Sequence, residues 1–169
     1  MAFSIPTVHL RTTILACNCR RPVGTRLEEV RTMQARPMSW RQKVAAPREP
    51  KRVTLEADFA GLPAGTRMFV ATPRIVAEHL HHIPPGEGRS IQSFRDALAG
   101  AHGCEAACPV STAVFIRMVA EAAWEDILAG RPAAEVAPFW RVVAPGSAIG
   151  KRLAADADWI AAQRAAEGI

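Results

Sequence analysis

The chain has 169 residues, 49% of them hydrophobic and 22% charged, which fits one ordinary domain plus an extension and excludes a wholly disordered chain. No apolar run approaches the roughly 18 to 20 residues of a membrane helix, so no membrane contact is expected. Lys and Arg number 21 against 16 Asp and Glu, but residues 1–37 hold six arginines and two glutamates, leaving 15 against 14 from Met38 onward. Any nucleic acid must therefore be held by a local patch and not by a bulk positive field.

Residues 1–37 show no sustained helical or alternating period, and Arg21-Pro22 and Arg36-Pro37 interrupt what pattern there is. They are expected to form a disordered leader or an upstream extension, with the folded domain spanning residues 38–169. Met38 to Val44 reads as a short helix capped by Ser39, followed by a Pro- and charge-rich linker from Pro47 to Lys51. Gly65 to Ala71 is a predicted strand. Pro73 then opens a helix capped by Thr72, with Ile75, Val76, Leu80 and Ile83 as its apolar face, and Ile83-Pro84-Pro85-Gly86 stops it.

Ser90 caps the next predicted helix, which runs to Ala99 with Ile91, Phe94 and Leu98 facing inward; Gly100 to Gly103 makes the turn. The longest helical segment is Pro109 to Ala129, with Val110, Ala113, Val114, Met118, Val119, Ala122, Ile127 and Leu128 as its buried stripe. Phe139 to Val143 is a β-branched and aromatic strand candidate, in which alternation sends Phe139 and Trp140 to opposite faces. Ala144 to Ser147 is a turn and Ala154 to Ala166 a closing helix. The fold class expected is α+β, mainly helical, with two helices, a strand and a turn in the outline of a winged helix-turn-helix.

Four cysteines, Cys17, Cys19, Cys104 and Cys108, are too few and too oddly placed for a disulfide-stapled secreted domain, and the reducing cytoplasm is the expected compartment. Cys104 and Cys108 could ligate zinc only if His79, His81, His82 or His102 folded onto them. Without a full four-ligand pattern, neither metal nor cofactor is expected. Cys108 precedes Pro109 at a helix start, where the macrodipole lowers a thiol pKa, so it is the candidate reactive thiol. The competing reading is a half-buried cap residue. Trp124 and Trp159, at helical spacing, read as core.

Several motifs line up in order with the DNA-binding domain of the O6-alkylguanine-DNA alkyltransferases. Ile83-Pro84-Pro85-Gly86 resembles that family's Ile-Pro-x-Gly, Ser90 falls at the Thr that begins its first motif helix, and Gln163 to Gly168 echoes its final helix. Pro138-Phe139-Trp140-Arg141-Val142 resembles its Pro-Cys-His-Arg-Val active-site motif. A closer likeness is to small bacterial proteins of the family that begin Met-Ser-Trp-Arg and carry Gly-Thr-Met, Cys-Pro-x-Thr/Ser-Thr and Pro-Tyr-Trp-Arg-Val. Here Met38 to Arg41, Gly65 to Met68 (with Arg67 inserted), Cys108 to Thr112 and Pro138 to Val142 correspond.

The resemblance implies binding of double-stranded DNA, in alkylation-damage recognition or repair. Alkyl transfer needs a thiolate beside the extruded base and a neighbouring His to deprotonate it. Phe139 and Trp140 stand at those positions and cannot do either job, so no catalytic residue and no methyl transfer are expected. The family's Tyr after the Thr is Ile91 here, and its Arg finger corresponds to Thr112, which puts base flipping in doubt too. Candidate DNA contacts are Arg89, Ser90, Arg95, Arg117, Arg141, Lys151 and Arg152, with Ser111 and Thr112 as base-edge or phosphate readers at the start of the long helix. Alternatively these arginines are a solvated face, with Arg117 paired to Glu121 one turn on. Two other functions stay open: a protein-interaction module that has lost DNA, and a transferase using Cys108 or Cys104.

Overall fold

The computed structural model describes residues 37–169, and the fold is built by Met38–Ile169. The leader expected over residues 1–37, with Cys17 and Cys19, lies outside the described residues except for Pro37. Among the described residues, five α-helices, a three-stranded sheet and three 3-10 turns make up an α+β, mainly helical architecture.

Helix α1 (Trp40–Ala45) starts at a capping box: the Ser39 hydroxyl accepts from the Gln42 amide and the Gln42 side chain accepts from the Ser39 amide. Strand β1 (Lys51–Thr54) then pairs antiparallel with β2 (Arg67–Val70), Lys51 opposite Val70 and Thr54 opposite Arg67. The linker expectation thus gives way at Lys51. All four β1 residues are exposed, so no alternation marks the strand in the sequence; it is held by backbone pairing to an inner strand that buries Met68 and Phe69.

Helix α2 (Pro73–His81) begins as the sequence predicts, with Pro73 in its first turn and the Thr72 hydroxyl accepting from the Ile75 amide. Helix α3 (Ile91–Ala101) is capped by Ser90 Oγ, which accepts from the Ser93 amide at 3.0 Å. Val76, Leu80, Phe94 and Leu98 from these two helices are core residues. The connection after α3 is longer than a tight turn. Gly103 takes a positive φ of 65°, and β3 (Ala106–Ala107) pairs parallel with Met68 and Phe69 before α4 (Pro109–Leu128) starts. The linker between the two helices is therefore stitched into the sheet.

Helix α4 buries part of the expected stripe: Met118, Val119 and Ala122 are buried and Ala113 and Ile127 half-buried, whereas Val110, Val114 and Leu128 are 55%, 51% and 71% exposed and Thr112 and Ile116 are buried in addition. Thr112 is fully buried, an inward-facing hydroxyl residue that a pattern of apolar residues does not mark.

The strand expected over Phe139–Val143 is a 3-10 turn, Phe139–Arg141. Phe139 and Trp140 are both buried, at 0% and 3% exposure, so consecutive side chains go inward and the alternation of a strand is impossible. The Phe139 carbonyl accepts from Val142 and Val143, and the Arg141 carbonyl accepts from Arg89, leaving no ladder to join. No wing strand follows α4. A further 3-10 turn (Gly150–Arg152) leads to α5 (Ala157–Glu167), capped by Asp156 and ended by Gly168 at φ 74°. No helix among the described residues is long and apolar enough to cross a membrane.

Candidate nucleic-acid interface

The residues that carry the family resemblance are far apart in the chain and meet in space. A cleft of about 580 Å³ opens between the start of α3, with Arg89, Ser90 and Ile91, and the segment after the Phe139 turn, with Val142 and Ser147; Arg164 of α5 closes a third side. The Arg89 amide donates to the Arg141 carbonyl at 2.7 Å, which fastens the two walls together. The far wall is a tight turn in which Ser147 Oγ donates to the Ala144 carbonyl and accepts from the Gly150 amide. Position 150 must be glycine: a Cβ there would lie 2.4 Å from the Ala144 carbonyl oxygen and 2.8 Å from that of Pro145.

Phe139, at the position of the family's thiol, does not line this cleft. It is fully buried, packed edge-on to Trp140 at 5.6 Å between ring centroids and stacked on Trp159 at 6.0 Å. Trp159 also meets Trp124 at 5.1 Å, so both helical tryptophans pack against the core. None of these rings lines the cleft, and phenyl and indole carry no nucleophile.

Arg141 was a candidate phosphate ligand and is spent elsewhere. Its Nε donates to Glu167 Oε2 at 2.7 Å and its Nη2 to Glu167 Oε1 at 2.8 Å, a bidentate pair, while Nη1 donates to the Ile83 carbonyl. Trp140 Nε1 donates to the same carboxylate at 2.9 Å. The Arg141 guanidinium and the Trp140 indole hold the Glu167 carboxyl below its ordinary value, against the opposing effect of burial. This network ties the Phe139 turn to α5 and to the end of α2. Arg164 adds a hydrogen bond to the Trp140 carbonyl. Sequence reasoning missed Glu167 and Arg164 as structural anchors; Glu167 sits within the motif Gln163 to Gly168 but had no partner assigned.

The other proposed contacts divide. Thr112 is fully buried, with its hydroxyl unpartnered, and cannot reach a base edge. Ser111 is half-buried and its hydroxyl is also enclosed. The exposed surface at the start of α4 is instead Val110 and Val114, which carry no donor or acceptor for base edges. Arg117 lies 3.7 Å from Glu121, the i,i+4 pairing weighed as the alternative; Glu121 is buried and also accepts from the Ala154 amide. Arg95 reaches the Ala107 carbonyl and Gln92, which ties α3 to β3. Arg89 pairs with Glu87 at the cleft edge. Lys151 and Arg152 are exposed, immediately beyond the turn that forms the cleft's far wall.

Cys108 is 6% exposed and caps α4 without a side-chain hydrogen bond, so an electrophile would have to displace core packing to reach it. Cys104 and Cys108 are free thiols. Among the described residues, no group of three or more His, Cys, Asp and Glu side chains is arranged to hold a metal. His79 and His102 stack on each other at 5.7 Å, and His102 stacks on Phe69 at 4.0 Å. Burial is the main cause lowering both imidazoles below their ordinary value; their mutual repulsion adds to it for His79, and Arg52 adds to it for His102.

Comparison with protein-family models, curated proteins and solved structures finds no match.

Proposed function

We propose that Met38–Ile169 is a double-stranded-DNA-binding domain of the alkyltransferase type, carrying a winged helix-turn-helix in modified form, that grips DNA in the handling of alkylation damage without accepting an alkyl group. The observation that carries this reading is the cleft. Ser90, Ile91 and Val142, which the resemblance picks out from separate motifs, meet there, and Arg89, Arg164, Lys151 and Arg152 line or flank it. In this reading α3 and α4 are the helix pair, and the β1–β2 hairpin is the only hairpin among the described residues that could serve as the wing. The buried Phe139 supports binding without transfer, since no thiol faces the opening.

With valines at the exposed start of α4, contacts go to the phosphate backbone and to groove shape, so affinity is largely independent of sequence. Engagement of Arg89, Lys151, Arg152 and Arg164 would give a slope of about −3.6 for log affinity against log salt, −0.9 for each of roughly four neutralised phosphates. Fluorescence polarisation with plain and O6-methylguanine duplexes at low and moderate salt tests this. Binding that weakens steeply with salt, and weakens further in Lys151→Glu/Arg152→Glu, is the expected result.

Val110 and Val114 favour a second reading, a protein-interaction module that keeps the fold and has lost DNA: two exposed β-branched residues one turn apart are the start of an apolar contact stripe. Absence of duplex binding even at low salt selects it.

A further inference from the structure

On α4, seventeen residues beyond its first position, a second group of arginines surrounds a single carboxylate. Asp126 is mostly buried, with its side chain 15% exposed. Arg41 from α1 pairs with its Oδ1 through Nε, and Arg131, just past the end of α4, reaches its Oδ2 through Nη1 at 3.3 Å. Arg74 from α2 lines the same cleft and, among the described residues, makes no ion pair or hydrogen bond, even to Glu78 one turn on. The floor is apolar, with Val44, Ala45 and Ala122, and the hollow measures about 400 Å³, within the range of small-molecule sites.

Two neighbouring carboxylates bear on the charge. Glu125 is spent on the backbone amides of Trp40 and Arg41 at the start of α1, and Glu135 lines an adjoining hollow that shares Arg41, Asp126 and Arg131 but not Arg74. The cleft itself therefore presents three guanidinium groups and one carboxylate, a formal excess of two positive charges. Arg41 and Arg131 each commit one nitrogen to Asp126, which leaves further N–H donors on both, and Arg74 lines the same cleft. Guanidinium donors beside apolar lining residues match an oxyanion attached to a small hydrophobic body.

We infer that this cleft binds a small phosphate monoester, whose charge of about −1.5 to −2 at neutral pH complements the excess. The site is independent of the DNA reading, since it shares no residue with the cleft described above.

Titration of the full chain with phenyl phosphate, followed by calorimetry or by amide chemical shifts, tests it. Saturable binding is expected, together with no binding of phenol, which lacks the anion, and weaker binding of inorganic phosphate, which lacks the ring. Arg74 is exposed and makes no hydrogen bond or ion pair among the described residues, so the thermal unfolding of Arg74→Ala should match the parent while phenyl phosphate binding weakens about tenfold, ~1.4 kcal/mol. The proposal is overturned by no saturation up to concentrations on the order of 10 mM, or by an Arg74→Ala variant that binds as the parent does. It is equally overturned if Arg74→Ala loses duplex DNA affinity while the parent ignores phenyl phosphate, which would assign these arginines to backbone phosphates.

Discussion

Two arginine–carboxylate clusters in one small domain serve opposite ends. Around Glu167, the side chains of Arg141 and Glu167 are only 11% and 17% exposed, the pairing is bidentate, and an indole N–H and a backbone carbonyl complete it. Around Asp126, the two paired arginines are each 49% exposed and a third stands beside them uncommitted. Burial of the arginines decides the difference, since the two carboxylates, Glu167 and Asp126, are about equally enclosed. A desolvated pair must satisfy its hydrogen bonds internally and becomes a structural joint, whereas a half-exposed one keeps donors to spare for a ligand. The arginine that the resemblance made most conspicuous, Arg141, is thus the least available to DNA.

The largest expected effect lies behind the first cluster. Phe139→Ala empties a fully buried aromatic site between Trp140 and Trp159 and should cost about 3–5 kcal/mol in denaturant unfolding. Phe139→Cys should likewise destabilise the fold and take no label from methylated DNA, because the position faces the core; labelled protein would show that the position opens to the base.

Glu167→Ala comes next. Leaving Arg141 enclosed without its partner should cost about 3 kcal/mol, while Asp126→Ala removes an equally enclosed carboxylate but leaves two half-exposed arginines that water can solvate, and should stay within about 1 kcal/mol. Equal losses at the two sites would erase the distinction between joint and ligand cleft. Because the Glu167 carboxyl is held below its ordinary value in the folded state, its contribution is complete above the unfolded carboxylate range and is lost as pH falls through the lowered folded value. Acid unfolding of the parent should therefore be steeper than that of Glu167→Gln.

Smaller effects follow from caps and imidazoles. Ser90→Ala removes the cap of α3 at the mouth of the cleft and should cost about 1 kcal/mol. His79 and His102 are both lowered, so the unfolded chain takes up protons first. Stability present above about pH 6.5 should decline as pH drops toward the folded values, and His102→Gln should flatten that slope in thermal melts.

Much of the helical framework was legible in the chain because its punctuation is local. Ser39, Thr72 and Ser90 cap the helices they were expected to cap, and Pro73 and Pro109 stand where helices begin. Strand β1 was hidden, since its four exposed residues leave no periodicity and only the partner strand defines it. The Phe139 segment misled for the opposite reason: aromatic and β-branched residues suit a strand, but here they pack as a buried plug in a turn held by Arg141 and Glu167, 26 positions apart. At the candidate interface the motifs of Ser90 and Val142 were visible in the sequence but their meeting in one cleft was not, and the inward turn of Thr112 and Arg141 depended on helix rotation and a long-range ion pair that spacing does not encode.

The property we propose as central to the domain is a grip on duplex DNA at the Ser90–Ser147 cleft that involves no chemical transfer. Titrating a fluorescent duplex into the parent and into Lys151→Glu/Arg152→Glu, at two salt concentrations, tests it most directly. The account predicts binding by the parent that falls with a log–log salt slope near −3.6 and, in the variant, a slope smaller in magnitude by about 0.9 for each lost contact. No binding by the parent at low salt, or identical slopes for parent and variant, would contradict it.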